Sequence, residues 1–337
     1  MIRKNFAPLS HTAFQALQRF SIVTEWLYYR PITWDRPMWQ PRRTPRNKLT
    51  TWYFLSLIVS SIAIHFVFTL IRQILSYQKD PDISILMGIF LILAGAGYTV
   101  AVSVIFTEIF KIDEFRVMLK FLRKFEALSA QPSDLFGLFL HGFILAVITS
   151  PLTCCSVPIL APTIDPTYLW FRNASFLSTN FKTMLRALIM FVSMLHACSE
   201  LFWFSIIASN VTVILNGCLK IGKSWQKQTK FIASSQLISS LKRYRQLQIF
   251  NSVVNQVFSY ILPVAVSLTF LCMVLMGYFL IKMTPIVPYT ITFLVGSVFA
   301  TIFCLGQGML PKMAEGAEKF EMSAVKRGTV RICKEKF

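Results

Sequence analysis

Residues 83–110 read ISILMGIFLILAGAGYTVAVSVIFTEIF. An α-helix needs about 20 consecutive apolar residues to cross the hydrocarbon core of a bilayer, and this run is longer than that. A backbone in lipid has no water to bond, so it must satisfy its own amides. Barrel strands do so in segments of about 10 residues, too short to account for the stretch. It reads as a transmembrane helix. Working outward, five further runs of the same kind lie near 49–75, 135–160, 184–217, 257–281 and 287–310. The expected fold class is all-α, a polytopic transmembrane helix bundle with six predicted spans.

Composition agrees. The chain has 337 residues, 55% of them apolar and 15% charged, with a mean hydropathy of +0.57. A water-soluble fold could not bury that much apolar surface. The formal charge of +19 would fit a nucleic-acid footprint if it lay on one soluble face. It is instead distributed between the apolar runs, so no nucleic-acid partner is expected and the lipid bilayer is.

Those charges set orientation. Of 34 Lys and Arg, 28 fall before Leu49, between Lys111 and Asp134, between Lys220 and Gln256, and after Leu310. The alternate connections hold only Lys79, Arg172, Lys182 and Lys282, with Arg72 and Arg186 at helix ends. The positive-inside rule then places the N-terminus in the cytoplasm and, after six spans, the C-terminus as well. The sequon Asn173-Ala174-Ser175 falls in the longest outer loop, where a glycan can be added. Aromatic residues mark the boundaries, with Trp52, Tyr53 and Trp225 on the inner side and Tyr77, Tyr168, Trp170 and Tyr289 on the outer.

Three regions follow. Residues 1–48 form a cytoplasmic N-terminal segment, 49–310 the transmembrane domain, and 311–337 a basic cytoplasmic C-terminal segment. Within the first, Phe14, Leu17, Phe20, Val23 and Leu27 recur at helical spacing, which predicts an amphipathic helix lying under the membrane. The Pro- and Arg-rich residues 31–48 read as an extended linker. Leu237, Leu241, Tyr244, Leu247 and Val254 predict that the fifth span begins as a cytosolic helix well before Val257, and the fourth span is also too long for the hydrocarbon core.

Catalytic signatures are absent: no HExxH, GxSxG, P-loop or GxGxxG follows the required element, so no enzyme is expected. The seven cysteines show no zinc-site spacing, and neither cofactor nor metal is expected. Ionisable residues within spans are costly and mark functional positions. His196 and Glu200, four apart on the fourth span, share a helical face. They could contact a ligand or an ion, or be a polar pair satisfied by Ser193 or Ser199. His65 and His141 read as satisfied interior histidines. Pro151, Pro158 and Pro263 can kink their helices, and Gly88, Gly95, Gly97, Gly296, Gly306 and Gly308 can admit close helix contact.

The N-in topology, the N-terminal amphipathic helix with its basic linker and the long fourth span are joined by the run LKRYRQLQ at 241–248, followed by Asn251 and Asn255. Together these features resemble the arthropod gustatory and odorant receptor superfamily of inverted seven-helix chemoreceptors. The resemblance implies a ligand-gated cation channel in the plasma membrane, tetrameric as homo- or hetero-oligomer. Its small-molecule ligand would sit between the outer halves of the second, third, fourth and sixth helices. At that depth this sequence offers Met87, Phe90, Thr149, Met190, Ser193, His196, Tyr289 and Phe293. The family's seventh helix carries Thr-Tyr followed five residues later by Gln-Phe. Here Thr167-Tyr168 lies in an outer loop without that sequel, and no apolar run follows Leu310. The chain is therefore expected to be a fragment ending before the pore helix. The alternative from another class is a six-helix transporter or membrane scaffold. A G-protein-coupled receptor fragment is opposed by the loop charges.

Overall fold

The computed structural model describes residues 12–126, 135–162, 164–228 and 234–285, and beyond these positions 287, 289, 291–293, 295–303 and 306. The basic segment 311–337 and parts of the expected sixth span, residues 307–310 among them, lie outside them. Nearly everything described is helical. The order is α1 (Ala13–Leu27), β1 (Ile32–Asp35), β2 (Gln40–Arg43), α2 (Thr50–Leu75), α3 (Ile85–Phe110), α4 (Ile112–Glu126), α5 (Leu135–Leu160), α6 (Tyr168–Phe171), α7 (Thr179–Gln228) and α8 (Ser234–Lys282).

Among the described residues five helices are long and apolar enough to cross a membrane: α2, α3, and parts of α5, α7 and α8. A shorter apolar helix, Ile291–Phe303, occupies the sixth expected span. Helices α7 and α8 run for 50 and 49 residues, respectively. At 1.5 Å per residue both exceed a bilayer by a wide margin. Many hydroxyls of the apolar helices are satisfied locally, as where Thr99, Ser103 and Thr107 each donate to the carbonyl four residues back along α3. Pro151, Pro158 and Pro263 lie inside α5 and α8, which continue through them. Gly95 faces Phe66 and Leu70 of α2, whereas an added Cβ at Gly88 or Gly97 would meet open space.

Helix α7 is the axis of the bundle, packing on α1, α2, α3, α4 and α5, while α8 packs on α3 and α4. The main core joins Leu17 and Phe20 of α1, Phe115 and Leu122 of α4, Phe143 of α5, Ile206 and Val211 of α7, and Phe250 of α8. These buried side chains lie at the end of the bundle where α2 begins and α3 ends.

Three elements gather at that end. Helix α1, expected as an amphipathic helix, is packed on the bundle. Thr12 caps it, accepting from the Gln15 amide, and its apolar face is sealed against α5 and α7, with Asn210 of α7 donating to the Ala13 carbonyl. Residues 31–48 are not the expected extended linker. They form an antiparallel hairpin in which Ile32 faces Arg43 and Asp35 faces Gln40. Trp34 is buried edge-on to Phe14, and Trp39 takes a left-handed φ of 49° at the turn with its ring 6.0 Å from Trp34. The connection after α3 contains α4, whose Phe115, Met118, Leu119, Leu122 and Phe125 form one buried stripe. Asp113 and Glu114 in its first turn and Arg123 and Lys124 in its last complement the helix dipole.

Candidate functional site

Two places gather polar side chains inside the bundle, one at each end. The first is built around Arg30, which follows α1 in the segment leading to β1. Its backbone is fixed by the hairpin: Thr44 Oγ1 donates to the Arg30 carbonyl at 2.5 Å, and the Thr44 amide donates to Pro31 at 3.0 Å. The side chain then turns into the bundle, where it is buried. Its Nη2 donates to Glu108 Oε1 of α3 at 2.8 Å and also to Glu200 Oε2 of α7, and Nη1 donates to the Ser199 carbonyl at 3.2 Å. The guanidinium lies 4.7 Å from the centroid of the Trp203 ring, a cation–π contact. The second Glu200 oxygen accepts from Trp52 Nε1 of α2 at 3.0 Å.

His196, one turn along α7, is held between Ser56 of α2 (Nε2 to Oγ, 2.9 Å) and Tyr28 (Nδ1 to the phenol oxygen, 2.7 Å). Burial raises the Tyr28 phenol above its ordinary value, so it stays neutral. Burial works against the Arg30 charge, but Glu200 and Glu108 more than offset it and hold the guanidinium above its usual range. Counted as ionised groups, one cation faces two anions. Sequence reading finds His196 and Glu200 as a pair on one face. Their partners are nevertheless Tyr28, Arg30, Trp52 and Ser56 rather than Ser193 and Ser199 as satisfying hydroxyls. Trp52, expected as an interfacial aromatic, is fully buried because its indole N–H is needed by Glu200. Glu108 is the only charge in the stretch 83–110, a signal that could have found it.

The second place is a cavity of about 860 Å³ at the opposite end, where α3 and α7 begin and α5 ends. Met87, Pro158, Ile159, Met184 and Ala187 give it an apolar lining, and Arg186 and Asn180 add polar groups. Asp82, Thr179 and Thr183 line it too, and it is a half-open pocket, wide enough to admit a small molecule. Its surroundings are fastened by two ion-pair staples. Arg186 Nη1 bonds Asp165 Oδ2 at 2.9 Å with both side chains buried, and Asp165 also accepts from the Thr167 amide and hydroxyl. Burial raises the Asp165 carboxyl above the ordinary carboxylate range, against the pull of Thr167 and Arg186. Arg172 bridges Asp80 at 2.7 Å and Asp82 at 3.1 Å, tying the α2–α3 loop to the loop before α7.

The eight residues expected around a ligand are distributed unevenly. Met87 lines this cavity. Met190 and Ser193 are buried farther along α7, where Ser193 Oγ lies 2.7 Å from the Tyr98 hydroxyl, and His196 belongs to the Arg30 cluster. Phe90 packs edge-on to Phe279 of α8, 5.6 Å between centroids. Thr149 is exposed and bonds its own helix. Tyr289 and Phe293 are 81% and 68% exposed, so the structure does not bring these three into the cavity. Asn173 is exposed in the loop between α6 and α7, on the cavity's face of the molecule. Among the described residues no three His, Cys, Asp or Glu side chains gather as a metal site.

Neither a protein-family model, nor a curated protein, nor a solved structure matches this sequence.

Proposed function

We propose that the chain is a chemosensory receptor subunit of the ligand-gated cation channel type, with its N-terminus in the cytoplasm of a plasma-membrane protein. The observation that carries the reading is the apolar cavity of about 860 Å³ between α3, α5 and α7. It lies on the face of Asn173 and away from the basic N-terminal hairpin, so the positive-inside distribution turns it outward. Ion-paired loops hold its rim in shape before a ligand arrives, which lowers the ordering cost of binding. Assembly with further subunits, to a tetramer by the resemblance, would supply the conducting path.

The test is binding and current together. Cells expressing the chain, alone and with candidate partner subunits, are challenged with a panel of small neutral volatile and sapid compounds, and the purified chain is screened for thermal stabilisation by the same panel. Stabilising compounds should evoke cation current, and both effects should be lost in Ala187→Trp, which fills the cavity. Stabilisation that survives Ala187→Trp would remove the cavity from the reading.

One observation favours a transporter as the second reading. Ionisable groups within spans mark ion and proton paths, and Glu108, Glu200 and His196 are buried together around Arg30. Uptake of a panel compound into proteoliposomes, dependent on a proton gradient and lost in Glu200→Gln, would select it over the receptor.

A further inference from the structure

The segment joining α1 to α2 presents a surface unlike the core beneath it. Trp26 is 78% exposed and Tyr29 47% exposed, with Leu27 and Met38 exposed beside them. An amphipathic helix that buries Phe14, Leu17 and Phe20 has no packing reason to end on an open tryptophan. The same segment carries exposed Arg36, Arg42, Arg43, Arg46 and Lys48. Glu25 takes Arg36 at 3.3 Å and Asp35 takes Arg42 at 2.6 Å. Arg43, Arg46 and Lys48 have no acidic partner among the described residues. Lys48 instead stands 5.3 Å from the centre of the Tyr29 ring, which joins that aromatic to the basic residues that precede α2.

Its height along the molecule is set by α2. That helix begins at Thr50, and Phe54 and Leu57 are already turned outward from the bundle. Phe54 lies four residues into α2, about 6 Å along its axis, so the patch just before the helix stands at the edge of the hydrocarbon layer. Aromatic rings prefer that depth, and cations there are attracted to acidic lipid headgroups. An acidic protein would match the charge as well. The continuity of the patch with the lipid-facing side of α2 favours the lipid.

We propose that Trp26, Tyr29, Arg43, Arg46 and Lys48 form a docking surface for acidic phospholipid headgroups of the leaflet at which α2 begins. The hairpin thus held is the one whose Thr44 anchors the Arg30 backbone. Headgroup binding and the Arg30 cluster therefore support each other.

The test uses the full chain in detergent micelles supplied with equimolar phosphatidylserine and phosphatidylcholine, with bound lipid counted by native mass spectrometry. The wild type should retain phosphatidylserine preferentially, and rising salt should erode the preference. Each charge removed should lower it about five-fold, so R43Q/R46Q/K48Q should lose about 100-fold. R43K/R46K/K48R should keep it, as should K79Q/K182Q at the opposite end. If the triple glutamine variant fails to fold, R43Q alone carries the same five-fold expectation. No preference in the wild type, an undiminished preference in the glutamine variants, or a loss in K79Q/K182Q alone would each overturn the proposal.

Discussion

Arg30 sits between Glu108 and Glu200 where water does not reach, so deleting the guanidinium leaves two carboxylates buried without their cation. Breaking a buried pair in this way costs about 3–5 kcal/mol. Arg30→Met is expected to lose that much stability in denaturant titrations of the micellar protein. Arg30→Lys should fall between it and the wild type, because a single ammonium cannot span both carboxylates and the Ser199 carbonyl. A loss below about 1 kcal/mol in Arg30→Met would mean that the carboxyls are reached by solvent or have taken up protons. Trp52→Phe removes the donor to Glu200 and the five-membered part of a buried indole, with an expected cost of at least about 1.5–3 kcal/mol in the same assay. His196 and Glu200 are visible in the sequence because a charge in an apolar run is costly wherever it points. Arg30 is not, because one arginine in a basic stretch looks like its neighbours until the chain brings it to carboxylates 78 and 170 residues away.

Among the elements, α1 and the hairpin separate two kinds of membrane attachment. If α1 only rested on the lipid surface, Phe20→Ala would change folding stability by less than about 1 kcal/mol. Phe20 is instead buried and stacked on Trp203 of α7, 6.4 Å between centroids. Its truncation should cost about 3–5 kcal/mol, read by the same denaturation and by loss of monodispersity in gel filtration. The apolar period of α1 is plain in Phe14, Leu17 and Phe20, yet the same stripe serves lipid or protein equally well, so periodicity alone does not say which covers it. The hairpin is hidden for another reason. Pro31, Pro37, Pro41 and Pro45 crowd the segment and argue against strands. A two-stranded ribbon tolerates Pro41 in β2, and Trp34 packs beneath it. Helix α4 carries its stripe openly in Phe115, Met118, Leu122 and Phe125, overshadowed by the charges that set the orientation of the whole chain.

For the whole molecule, the orientation proposed from the loop charges predicts a glycan. Expressed in a eukaryotic cell, the chain should migrate as a larger species that collapses on peptide-N-glycosidase treatment and is absent in Asn173→Gln. An epitope at the N-terminus should be reached by antibody only after permeabilisation. An unmodified Asn173 with an externally accessible N-terminus would invert the molecule and turn the cavity to the cytoplasm. The sequence by itself determined the helical membrane architecture, because apolar runs such as 83–110 have no other stable form in or out of water. It also determined that the fourth and fifth helices are longer than a bilayer requires, and the face shared by His196 and Glu200. Only the tertiary structure decided what those residues meet, which stripe of α1 is covered by protein, and where a cavity opens. Those outcomes depend on which distant segments share a plane across the bundle, and helix depth read along a chain carries no information about the direction in which each helix is turned.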